Sequence, residues 1–225
     1  MAKTQRSGSA SVRRAGGKAA ADASPLGQRL RTERDRLGLS VRELSRRLDV
    51  SPSLVSQIET GKIQPSVRTL YAMVSELGVS LDELFGAHDA PQSLPQEPTE
   101  RVDSPVSPVT PLAERVQRAD SRQVIELESG VRWERLITWN DGDIDFLYAI
   151  YHPGGASAPD GKLVRHNGRE FGIVIKGHLG VTVGFENYVL EPGDSISFES
   201  TTPHRLHNDG DEDVEAIWVV LGRNR

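Results

Sequence analysis

At 225 residues the chain is long enough for two small domains, and its lack of cysteine excludes disulfides and thiolate-bound zinc. No apolar run is long enough to cross a bilayer, and no apolar core follows the basic N-terminal residues, which predicts a soluble cytoplasmic protein without a secretory signal or membrane partner. The net charge is −5, with arginines gathered in the N-terminal half and acids in the C-terminal half, which fits a regulator with one basic domain better than a nonspecific nucleic-acid coater.

Residues 1–23 are Gly, Ala, Ser, Arg and Lys without periodicity, and predict a disordered basic tail. Such a tail is either an arm that adds phosphate or minor-groove contacts or a solvated segment with no specific role. From Pro25 a helix is expected to about Leu37, with Leu26, Leu30 and Leu37 inward and Gly38 as its C-terminal cap. Val41, Leu44 and Leu48 form the next apolar stripe, followed by Leu54, Val55 and Ile58. Val67, Leu70, Val74 and Leu77 form another at the spacing of one helix face. Leu81, Leu84 and Phe85 close the run. Ser40, Ser51, Ser66 and Ser80 precede these helices as caps, with Glu43 and Glu83 completing capping boxes and Pro52 at a first helical position. Asp49-Val50 is the short link of a helix–turn–helix.

The run SPSLVSQIETGK from Ser51 to Lys62, then Pro65-Ser66, then GVSLDELF from Gly78 to Phe85, resembles the XRE-type (Cro/repressor-like) DNA-binding domain. The resemblance spans roughly sixty residues and implies an all-α five-helix domain over residues 24–86. It implies that the helix from Pro52 enters the major groove, with Ser51, Ser53, Ser56 and Gln57 facing double-stranded operator DNA. It also implies backbone contacts from Ser40, Lys62 and Ser66, while Ser51 and Ser66 cap helices at the same time. Val41 departs from the pattern, where such domains often carry Gln. Arg46 and Arg47 are either a solvated face or a phosphate clamp.

Residues 87–110 carry Pro91, Pro95, Pro98, Pro105 and Pro108 among polar residues, and read as a linker. From 111 to 225 the pattern turns to short strands: Ile144, Phe146, Tyr148 and Ile150 alternate, as do Leu179, Val181, Val183 and Phe185, and then Val214, Ala216, Trp218 and Val220. Turn chemistry separates them at His152-Pro153-Gly154-Gly155, Lys176-Gly177-His178 and Glu191-Pro192-Gly193-Asp194. That argues a small β-barrel or sandwich, and an α + β two-domain protein overall.

Val164 to Glu170 followed by Gly177 is similar to the first cupin motif, and Pro192 to Phe198 followed by Pro203-His204 and Asn208 is similar to the second. The resemblance implies an all-β cupin barrel (a double-stranded β-helix). An XRE-type domain followed by a cupin is itself an arrangement of transcriptional regulators. It implies a metal set of His166, Glu170 and His204, with Val164 where a further His is expected. Such a facial triad would hold one divalent ion (Fe, Mn, Ni or Zn) with open positions. The alternative is a metal-free pocket in which His166 and Glu170 bond each other or an effector. Tyr148, Arg165, Phe171 and Trp218 are the candidate wall of the effector pocket. His152, His178 and His207 read as ordinary surface or pocket residues, and Asn208 as a turn residue.

The expected function is sequence-specific DNA-binding transcriptional regulation by a homodimer, with no catalytic residues and a cupin that senses a small-molecule effector and mediates dimerisation. The alternative is a mononuclear non-haem iron cupin enzyme of the epoxidase or oxygenase kind, with the helix–turn–helix as an accessory domain.

Overall fold

The computed structural model describes residues 25–85, 115–139 and 142–222. The expected basic tail and the proline-rich linker lie outside the described residues. The N-terminal part is five helices: α1 (Pro25–Arg36), α2 (Val41–Leu48), α3 (Pro52–Glu59), α4 (Val67–Leu77) and α5 (Leu81–Phe85).

Local chemistry sets their ends. The Ser40 hydroxyl accepts from the Glu43 amide at 3.1 Å, and the Ser51 hydroxyl from the Leu54 amide at 3.1 Å. The capping box at α5 closes both ways: the Ser80 amide donates to Glu83 Oε2 and the Glu83 amide to Ser80 Oγ. The box at α2 closes only one way, because Arg46 and Arg47 take the Glu43 carboxylate. Asp49 ends α2 in the left-handed region at φ 54°, a conformation its short polar side chain tolerates, and this sharp corner makes the helix–turn–helix. Leu30, Leu44, Val55, Ile58, Leu70, Met73 and Leu77 form the buried helical core. Leu37 does not join it: α1 ends at Arg36, and the leucine beyond the last turn is exposed.

Among the described residues the C-terminal part has nine strands, all antiparallel: β1 (Val124–Leu127), β2 (Val131–Arg135), β3 (Ile144–Tyr151), β4 (Arg169–Lys176), β5 (Leu179–Val183), β6 (Glu186–Leu190), β7 (Ser195–Glu199), β8 (His204–His207) and β9 (Val214–Leu221). They form a six-stranded sheet in the order β1-β2-β3-β9-β4-β7 and a three-stranded sheet in the order β6-β5-β8. Strand alternation sends Leu147, Ala149, Tyr151, Glu170, Val174, Ala216, Trp218 and Val220 of the large sheet into the interior. Leu179, Gly180, Val181, Leu190, His204 and Leu206 are the buried residues of the small one.

The two parts share one continuous apolar cluster. The Arg68 amide, in the first turn of α4, donates to the Ser157 carbonyl at 3.1 Å, and the Glu128 amide donates to the Pro65 carbonyl at 2.9 Å. The Tyr71 ring of α4 also meets Trp133 of β2, with centroids 5.5 Å apart.

Candidate DNA-contacting face and candidate metal centre

Burial of Val55, Ile58 and Glu59 turns one side of α3 into the bundle. Ser51, Ser53 and Ser56 lie on the exposed side, and half-buried Gln57 donates from Nε2 to Ser53 Oγ at 3.0 Å. Ser40 and Lys62 are exposed on either side of that face. Ser53, Ser56 and Gln57 are uncharged, and the Gln57–Ser53 bond can be exchanged for base edges, while Lys62 adds a cation suited to phosphate.

Ser66 departs from the expected pattern. It is only 3% exposed, and its hydroxyl accepts from the Thr69 amide and bonds the Thr69 hydroxyl at 2.9 Å. The cause is the docking of the start of α4 on the β-domain, where the flanking Pro65 carbonyl and Arg68 amide are already bonded. Arg46 and Arg47 are held by acids, Arg46 on Glu43 at 2.7 Å and Arg47 between Glu43 at 2.8 Å and Glu76 at 2.7 Å. The bonds from Arg46 and then Arg47 pull the Glu43 carboxyl down to about 2.

In the β-domain, His166, Glu170 and His204 converge. Their ligand atoms all lie within 4.8 Å of one another, and their side chains are at most 4% exposed. His166 Nδ1 faces the Asn167 carbonyl and His204 Nδ1 the Thr202 carbonyl, each at 2.9 Å. A carbonyl only accepts, so each Nδ1 carries a proton, and in the neutral ring Nε2 is the nitrogen with the lone pair. Both Nε2 atoms approach Glu170 Oε1 to 3.1 Å. That short approach leaves His166 Nε2 and Glu170 Oε1 buried without a hydrogen-bond partner. Three acceptor atoms pointing at one spot fit a cation. Ligand atoms about 2.1 Å from one ion and at right angles to each other sit about 3 Å apart.

The second carboxylate oxygen is fixed by the Trp218 indole, whose Nε1 donates to Glu170 Oε2 at 2.7 Å. Burial pushes the Glu170 carboxyl up, but the His166 and His204 rings in their protonated form, together with the indole N–H, outweigh it and hold it below the usual range. Burial pushes His204 down, toward the neutral ligand form. Tyr151 is fully buried near Glu170, and burial holds its phenol well above the usual range, so it stays neutral. Val164 is buried and exchanges backbone bonds with His204, so the position of the missing histidine offers no donor.

Of the four candidate pocket residues, Trp218 lies inside and Arg165 lies at the rim, where a 360 Å³ pocket is lined by Ser75, Arg165, His166, Asn167 and Thr201. Tyr148 and Phe171 do not line the interior. They fall on the outward register of β3 and β4, where Tyr148 bonds Glu215 under the Arg122 guanidinium and Phe171 is 39% exposed. His152 pairs with Asp213 at 2.8 Å and His207 with Asp209 at 3.2 Å, away from the triad. Asn208 braces the following turn through Gly210 and Glu212.

Two residues at the centre carried no signal as site residues in the sequence. Gly172 lies under the Trp218 ring, so that a Cβ there would fall 1.9 Å from Cζ3. Tyr71 stacks on His166 with centroids 4.3 Å apart and planes 22° from parallel. A glycine in a strand and a tyrosine on an apolar helix face both read as ordinary packing.

Residues 30–84 match the helix-turn-helix family model and residues 147–220 match the cupin domain model. The HTH-type transcriptional regulator PuuR of Escherichia coli (strain K12) is 27% identical over 184 residues, covering 81% of this chain and 86% of that protein. A crystal structure of an HTH_3 family transcriptional regulator from Vibrio cholerae covers 88% of this chain and 95% of its own at TM-score 0.59 and 19% identity, which shows a shared fold. Hydroxypropylphosphonic acid epoxidase from S. wedmorenis covers 90% of this chain and 100% of its own at TM-score 0.40 and 19% identity, too distant to bear on fold or chemistry.

Proposed function

We propose that the chain, a helix-turn-helix domain followed by a C-terminal cupin domain, is a sequence-specific DNA-binding transcriptional regulator of the XRE type whose cupin senses a small molecule and mediates dimerisation. The observation that carries the reading is the exposed face of α3. Ser51, Ser53 and Ser56 stay open although α4 is docked on the cupin. The similarity to the transcriptional regulator PuuR supports the same reading.

Binding of the full chain to DNA from its own upstream region, against a shuffled duplex, tests it. Tight, salt-steep binding to the first only is the expected result. Gln57→Ala is expected to cost about 1–3 kcal/mol on the specific site and little on shuffled DNA. Lys62→Ala is expected to weaken both and to lower the salt slope by about one. Equal affinity for the two duplexes would remove the proposal.

Dimerisation is assigned to the outer face of β4. Phe171, Ile173 and Ile175 are exposed there, beside β7 at the open edge of the large sheet. Two recognition helices on successive major-groove faces require a two-fold partner. Ile173→Glu is expected to leave the fold intact, shift sedimentation to the monomer, and weaken operator binding at least tenfold. A dimer unchanged by this substitution would place the interface elsewhere.

We assign His166, Glu170 and His204 to one divalent ion (Fe, Mn, Ni or Zn), on the strength of their unpartnered buried acceptors. A bound ion would offer open coordination positions to a small effector. The same triad supports the second reading, a mononuclear non-haem iron enzyme. Metal near one per chain with no specific DNA binding would favour that reading.

A further inference from the structure

The three ligands are not held equally. Glu170 lies on β4 and His204 on β8, each inside a strand ladder. His166 lies outside any strand, in the segment before β4, with its own amide bonded to the Ser200 carbonyl at 3.2 Å. Its Nδ1 bond to the Asn167 carbonyl sets the tautomer and helps orient the ring, but that carbonyl lies in the same segment outside the strands, so packing against the ring face supplies a second hold. That packing comes from the DNA-binding half. Tyr71 of α4 is 6% exposed, lies nearly parallel to the imidazole at 4.3 Å, and is backed by Trp133. The interdomain bonds Arg68 to Ser157 and Glu128 to Pro65 come from the same docked surface. Ser75, four residues beyond Tyr71 on the same helix, lines the pocket that borders His166.

We infer that Tyr71 is a positioning residue for His166, and that through this stack the docking of the DNA-binding domain and metal occupancy of the cupin are energetically linked. The inference rests on the metal assignment proposed above. If docking of α4 raises metal affinity by some factor, metal must strengthen docking by the same factor. A ligand that displaces or reorients His166 would then reach the helical domain through one ring contact. Neither the linker nor the recognition helix need take part.

The test uses the full chain, stripped of metal and titrated with Co²⁺, following the visible absorption of the bound ion. Tyr71→Phe keeps the ring and is expected to bind within about twofold of wild type. Tyr71→Leu is expected to bind about 10–100-fold more weakly, the range seen when a residue orienting a metal ligand is lost. Its cobalt spectrum is expected to change shape, which a purely structural role for Tyr71 would not produce. A second measurement needs no variant: in wild type, Co²⁺ is expected to slow hydrogen exchange at the Arg68 and Glu128 amides. Equal Co²⁺ affinity and spectrum in wild type and Tyr71→Leu would overturn the inference while leaving the metal assignment standing. Unchanged exchange at both amides on saturation would overturn the linkage. Wild type that binds no Co²⁺ would instead remove the metal assignment, and this inference with it.

Discussion

Glu59→Ala is expected to destabilise the helical domain by about 3–5 kcal/mol, enough to abolish operator binding through loss of fold rather than loss of a contact. Arg34 of α1 meets Glu59 of α3 in a two-pronged pair, Nε to Oε1 at 2.6 Å and Nη2 to Oε2 at 2.8 Å. Both side chains are buried, at 7% and 4% exposure. The same guanidinium donates to the Leu39 carbonyl at 2.7 Å and to Asp35 at 2.6 Å, so one charge ties α1, the start of α2 and the end of α3. The Glu59 bond raises the Arg34 pKa, and even without it a guanidinium keeps its proton at ordinary pH, so the arginine cannot escape by deprotonating. Removing the carboxylate strands a buried cation. Gly27 leaves no slack nearby, because a Cβ on it would lie 2.3 Å from the Ile58 carbonyl oxygen. The double variant Arg34→Met, Glu59→Leu removes both charges and is expected to recover most of the loss. Urea unfolding of the three proteins measures this. A loss under about 1 kcal/mol for Glu59→Ala would show that water reaches the guanidinium.

The helical domain was legible in the sequence because its signals are local. Ser40, Ser51 and Ser80 declare helix starts within three residues of chain, and the spacing of Val67, Leu70, Val74 and Leu77 declares one buried face. The cluster of His166, Glu170 and His204 was legible as a motif, and the fold brings those three together. What the chain does not reveal locally is which face of a strand looks inward. On β3 both alternating sets are largely apolar: Ile144, Phe146, Tyr148 and Ile150 face out, while Leu147, Ala149 and Tyr151 face in. Periodicity alone cannot choose between two apolar faces, which leaves Tyr148 undecided, and on β4 the more apolar set of Phe171, Ile173 and Ile175 is the outward one, so the pattern points Phe171 the wrong way. Ser66 shows the same limit in another form. Its cap is local and correct, but its burial comes from the β-domain, far along the chain. Tyr71 reads as one more apolar residue of α4 until the stack on His166 is seen.

Gly172→Ala is expected to cost about 1–3 kcal/mol of overpacking and, more tellingly, to weaken metal binding about 10–100-fold. Gly172 and Trp218 are register partners on β4 and β9, and the indole lies directly across the glycine. A methyl at 172 would come within 2.2 Å of Cε3 as well as 1.9 Å of Cζ3. The strand cannot yield, since β4 is paired on one side with β7 and on the other with β9. The indole must therefore move, and its Nε1 then leaves Glu170 Oε2. Without that bond the carboxylate can rotate, and Oε1 no longer stays aimed at the point where both histidine Nε2 atoms converge. Trp218→Phe separates the two effects, because it removes the N–H without introducing a clash. It is expected to lose metal affinity to a similar extent while keeping more of the stability. If Gly172→Ala instead binds Co²⁺ as wild type does, the indole does not set the carboxylate. A glycine in the interior of a strand weakens it unless something must approach closely, and here what approaches is the ring that orients Glu170.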